Sequence, residues 1–135
     1  METTKSYTDI DQAKALAKIL PLESADMCYR YYSGGMITGY GDCVLVKSFI
    51  TGKNVIREND LPCWSLAALI SIIPQELFDG EYIINITEGI DNKWIITYDH
   101  HENRNHSYYG LSTGADNLVD ACTDIIIKFK ERNII

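Results

Sequence analysis

The order of apolar and polar positions divides this chain into stretches with different periods. Ile10, Ala13, Leu16, Ala17 and Leu20 share about a third of a helical wheel, with Asp11, Lys14 and Lys18 opposite, which predicts a surface helix over residues 8–20. Thr8 and Asp11 have the spacing of a capping box, and Pro21 ends the element. Residues 27–32 are rich in the aromatic types that suit a pleated strand, and the glycine-rich stretch 33–41 leads to a return strand over 42–49, so a hairpin is expected. A polar connection from Thr51 to Asp60 is expected to be an exposed loop.

Residues 62–74 run Pro-Cys-Trp-Ser-Leu-Ala-Ala-Leu-Ile-Ser-Ile-Ile-Pro. Proline is tolerated in a first helical turn and stops a helix at its far end, which predicts about three turns between the two prolines. Trp64, Leu66, Ala67, Ala68, Leu69, Ile70, Ile72 and Ile73 cover every direction of the wheel, so this helix is expected to be buried on all sides. A bilayer span needs roughly 17–25 apolar residues, and the segment is too short for one.

Residues 81–88 and 93–99 alternate as two strands joined by 89–92. Tyr82, Ile84, Ile86 and Trp94, Ile96, Tyr98 point one way, and Ile83, Asn85, Thr87 and Ile95, Thr97, Asp99 the other. A polar turn over 99–106 and a third, shorter strand over 106–111 follow. The last helix opens on the capping-box spacing of Thr113 and Asp116. Leu118, Val119, Ala121, Cys122, Ile125, Ile126 and Phe129 fill half of its wheel, and only Ile127 interrupts the polar half. The expectation is one α+β domain over 1–135, with an antiparallel sheet packed by three helices in the order helix, hairpin, helix, two or three strands, helix.

Charge and composition narrow the function classes. Nineteen acidic against twelve basic side chains give a net charge of −7, which repels the phosphate backbone and disfavours direct nucleic-acid binding. The opening residues lack the basic and apolar regions of a secretory signal, so a cytoplasmic location with no membrane partner is expected. Cys28, Cys43, Cys63 and Cys122 are far apart, without a C-x-x-C pair, and read as reduced thiols.

The densest group of functional side chains is Asp99-His100-His101-Glu102-Asn-Arg-Asn-His106. Imidazoles and carboxylates suit zinc, iron or manganese, so Asp99, His100, His101 and His106 are candidate metal ligands for a small metal-dependent hydrolase. Adjacent strand residues point to opposite faces, however, and a solvated hairpin tip accounts for the same residues more simply. Cys63, read at a helix start, is a second candidate nucleophile, with a plain core thiol as the preferred reading. Tyr29, Tyr31, Tyr32, Tyr40, Tyr108 and Tyr109 suit either a protein interface or the covering of sheet edges. Ile127 would be joined by Ile134 in a small apolar patch if the last helix ran on.

Three segments, residues 19–29, 62–74 and 116–130, together resemble a group of small uncharacterised proteins encoded by phages and mobile elements of anaerobic gut bacteria. The resemblance implies a mobile-element gene product and brings no catalytic residue or cofactor. The expected function is a non-enzymatic interaction module whose partner is another protein or a second copy in a homodimer, with Ile127, Tyr108 and Tyr109 as contact candidates. The metal-dependent hydrolase is one alternative, and an acidic decoy of a nucleic-acid-binding enzyme is the other.

Overall fold

A computed structural model of the chain describes residues 5–33, 39–45, 56–89, 91–103 and 113–135. The chain is α+β, with helices and antiparallel sheets. Among the described residues it carries two sheets where a single one was expected, and its contacts divide it into two compact units, residues 6–68 and residues 1–5 with 69–135. None of the helices among the described residues is long and apolar enough to cross a membrane.

The unit of residues 6–68 begins with α1 (Ile10–Ala17). Its N-cap is Asp9, whose side chain accepts from the Gln12 amide at 2.8 Å while Gln12 accepts from the Asp9 amide at 3.0 Å. The capping box expected at Thr8 is thus displaced by one residue. Thr8 is instead fully buried, its hydroxyl accepting from the Trp64 amide (3.2 Å) and its own amide donating to the Trp64 carbonyl (3.0 Å). The three-stranded sheet has the order β2-β1-β3, with β1 (Met27–Tyr32), β2 (Gly39–Leu45) and β3 (Leu61–Cys63) all antiparallel. β1 and the hairpin lie where the pattern put them, although β2 begins at Gly39 rather than 42; residues 46–49 fall outside the described residues.

The expected helix over 62–74 is two elements. Pro62 and Cys63 belong to β3, and α2 spans only Leu66–Ile72. Among the described residues β3 pairs only with β1, so Pro62 sits on an edge strand, one of the few places in a sheet where a missing N–H is tolerated. The helix starts at Ser65, whose hydroxyl accepts from the Ala68 amide at 3.2 Å and itself donates to the Asp26 carboxylate. Cys63 therefore does not open a helix. Nor is α2 buried on all sides: Leu69 is inaccessible, but Ala67, Ile70 and Ser71 are exposed.

The second unit holds a four-stranded sheet of order β4-β5-β6-β7, made by β4 (Glu76–Leu77), β5 (Tyr82–Glu88), β6 (Trp94–His100) and β7 (Thr113–Ala115). The β5–β6 register pairs Ile84 with Tyr98 and Ile86 with Ile96, which settles the inner face; Ile83, Asn85 and Thr87 are exposed on the other. Thr113 pairs with Ile96 in β7 instead of capping a helix. The third strand expected over 106–111 lies outside the described residues.

α3 (Leu118–Glu131) is capped by Asn117, which accepts from the Asp120 amide at 2.9 Å. An Asn117→Ala variant is expected to lose about 1 kcal/mol in urea unfolding, the usual worth of such a cap. The helix ends in a Schellman turn: Asn133 has φ 57°, its amide donates to the Lys130 carbonyl, and the Ile134 amide donates to the Phe129 carbonyl at 2.8 Å. The helix therefore does not run on to bring Ile134 onto the face of Ile127, which is itself half-buried.

Candidate functional site

The histidine end of the four-stranded sheet gathers three of the four candidate metal ligands around one open hollow of about 410 Å³, lined by Ile83, Ile84, Asn85, Asp99, His100 and His101. These side chains do not converge on one point. Asp99 lies on the outer face opposite Ile83 and accepts from the Asn85 side-chain amide at 3.1 Å. His100 is paired with Tyr82, and its ring meets the Tyr82 ring edge-on at 5.4 Å. Its Nδ1 accepts from the amides of Glu102 (3.2 Å) and Asn103 (3.3 Å), which puts the ring proton on Nε2 and leaves no lone pair for a cation. His101 stacks on His100 at 4.7 Å and turns Nδ1 toward the Glu81 carbonyl at 3.2 Å. Its Nε2 faces Glu102 at 3.5 Å, a pair at the surface. His106 lies outside the described residues. Among the described residues no three His, Cys, Asp or Glu side chains are placed to share a metal ion.

The β1–β2 hairpin offers a different arrangement. Tyr29 is a core residue, its hydroxyl donating to the Thr8 carbonyl at 2.6 Å, with burial pushing its pKa up. Tyr31 is half-buried and meets Tyr40 edge-on at 5.5 Å, and the Lys14 ammonium lies 5.8 Å from the centre of the Tyr40 ring. Tyr32 and Tyr40 are exposed by 50% and 37%, and Leu45 at the end of β2 by 71%, values high enough to leave all three within reach of another molecule. The Tyr32 ring lies over Gly41, where a Cβ would come within 2.9 Å of the Tyr32 Cδ2, so glycine there lets the ring lie close to the β2 backbone. Tyr108 and Tyr109 fall outside the described residues.

Asp60 braces this hairpin. β3 stops pairing with β1 at Leu61 and Tyr29, and the ladder between β1 and β2 shifts register between Tyr29 and Tyr31. The Asp60 carboxylate substitutes for a strand there, accepting from the Tyr31 amide at 2.9 Å, the Arg57 amide at 3.0 Å and the Arg30 guanidinium at 2.7 Å. Its side chain is 2% exposed. Burial alone would push the carboxyl pKa up, but the amides of Tyr31 and Arg57 and the Arg30 guanidinium outweigh it and hold it below the ordinary carboxylate range. The sequence pattern missed this residue, because Asp at the end of a polar loop reads as solvated.

Comparison with family models, with curated proteins and with solved structures finds no match to this chain.

Proposed function

We propose that this chain is a non-enzymatic, cytoplasmic interaction module of a phage or mobile element, and that it binds a protein partner along the β1–β2 hairpin. The observation that carries the reading is the exposed set made by Tyr32 at the end of β1 and by Tyr40 and Leu45 on β2, the outer strand of the three-stranded sheet among the described residues. Exposed tyrosines are the side chains most enriched as interface anchors. Among the described residues β2 pairs only with β1, so its outer edge suits an extended segment added as a further strand. The mobile-element part of the proposal rests on the resemblance of the segments at 19–29, 62–74 and 116–130.

Capture from the natural host with tagged protein, in low and high salt, tests the reading. A stoichiometric partner that survives high salt and is retained about tenfold less by Tyr32→Ser is expected, the loss being that of an interface anchor. Light scattering of the pure protein separates a second copy from a different partner. No stoichiometric protein in either salt and a monomer in solution would overturn the proposal; retention unchanged in Tyr32→Ser would remove the hairpin from it.

A further inference from the structure

Tyr29 and Tyr31 of β1 stand opposite Cys43 and Tyr40 of β2, so the single residue Arg30 faces two, Gly41 and Asp42. That is a β-bulge, and it lies in the strand whose outer side pairs with no other strand among the described residues. Asp42 is exposed and is the middle residue of β2. It is also the only charged side chain in that strand, which otherwise carries glycine, tyrosine, cysteine, valine and leucine.

An open strand edge pairs with almost any extended segment, and a bulge and a charge are two of the devices by which natural sheets restrict that pairing. The nearest competitor for the edge is a second copy of the same strand. Full antiparallel overlap of two β2 strands about a two-fold axis puts the Asp42 carboxylates of the two chains directly opposite each other. Opposed residues in such a ladder have Cβ atoms about 4.5–5.5 Å apart, and like charges so placed are destabilising. Moving the axis to Gly41 or Cys43 separates the carboxylates only by giving up paired residues at the strand ends. A lysine or arginine opposite Asp42 turns the repulsion into an attraction, and the chain's nineteen acidic against twelve basic side chains draw a basic partner in from a distance.

We propose that Asp42 selects the partner of the β2 edge: it turns away a second copy of this chain and admits an extended segment that carries a lysine or arginine opposite it. The inference rests on the hairpin being the docking edge and adds the chemistry of what docks there. The exposed side chains of Tyr40 and Leu45 flank Asp42 along the strand, so the segment that fits is a short basic strand with apolar residues on both sides of its charge. Specificity then comes from the charge at the centre, while the backbone ladder and the flanking apolar contacts hold whichever segment passes it.

The test is sedimentation velocity of the full chain, of an Asp42→Lys chain and of an equimolar mixture of the two at low salt, with the fold of each checked by circular dichroism. Asp42 is exposed, so its replacement leaves the core untouched. Each chain alone is expected to stay monomeric, because like charges meet at the centre of its own pairing, and the mixture is expected to form a one-to-one dimer. The mixed pair should bind about tenfold more tightly than either chain binds itself, the scale on which exchanging a like-charge pair for an opposite one acts, and should loosen as salt is raised. A mixture as monomeric as its components, or a wild-type chain that pairs with itself as tightly as with Asp42→Lys, would overturn the role of Asp42. Neither result touches the capture of a host partner through Tyr32, which tests the hairpin itself, so the two readings fail separately.

Discussion

A Phe129→Ala chain is expected to unfold in urea with about 3–5 kcal/mol less stability than the wild type, the cost of deleting a large core aromatic. Phe129 is inaccessible to solvent near the end of α3, and its ring meets that of Tyr98 edge-on, with centroids 5.4 Å apart. Tyr98 cannot readily collapse into the space left behind. It is fully buried in the middle of the β5–β6 ladder, and its hydroxyl is tied to the Pro74 carbonyl at 2.5 Å. The favourable edge-to-face contact is lost as well, about 0.5–1.5 kcal/mol in such pairs. Phe129→Leu fills much of the volume and is expected to fall between the two. A loss below about 1 kcal/mol for the alanine variant, far under the range for a buried aromatic, would mean that α3 does not pack on the sheet in this way.

Asp60 carries the second large effect, and its sign with pH is fixed. Asp60→Ala leaves the Arg30 guanidinium and the amides of Tyr31 and Arg57 without this acceptor, and breaking such a buried pair typically costs about 3–5 kcal/mol. Because the carboxyl pKa is lowered on folding, the unfolded chain binds the proton more tightly. The stabilisation is therefore complete above the unfolded value of about 3.9 and disappears as the pH falls through the folded value. The expected result is a stability gap between wild type and Asp60→Asn that is constant near neutrality and closes below about pH 4. A gap that widens in acid would contradict the bonding described for the carboxylate.

What the sequence disclosed follows from which forces are local. β1 and the β5–β6 hairpin are written in side-chain periodicity and fall within a residue of the pattern, and the apolar half of α3 is written the same way, although that helix starts four residues later than its expected cap. Caps were less secure, since Thr8 and Thr113 matched a spacing that Asp9 and Asn117 fulfil. Pro62 shows the limit most clearly. The same residue suits a first helical turn or an edge strand, and the choice depends on whether β1 lies alongside, which no local pattern records. The division into two sheets, the burial of Asp60 and the bulge at Gly41 and Asp42 all depend on long-range register. The histidine cluster was visible as composition, but its side chains turn to separate partners, Asn85, the Glu81 carbonyl and the backbone of Glu102 and Asn103, and among the described residues no three of them share a point.

The measurement that bears most directly on the proposed function is amide hydrogen exchange of the chain with and without its captured partner. Addition of a strand to the hairpin would slow exchange of the outward-facing amides of β2, Gly39–Leu45, and leave the amides around His100 and His101 unchanged. Protection confined to the histidine end of the four-stranded sheet, with β2 exchanging as in the free chain, would contradict docking at the hairpin.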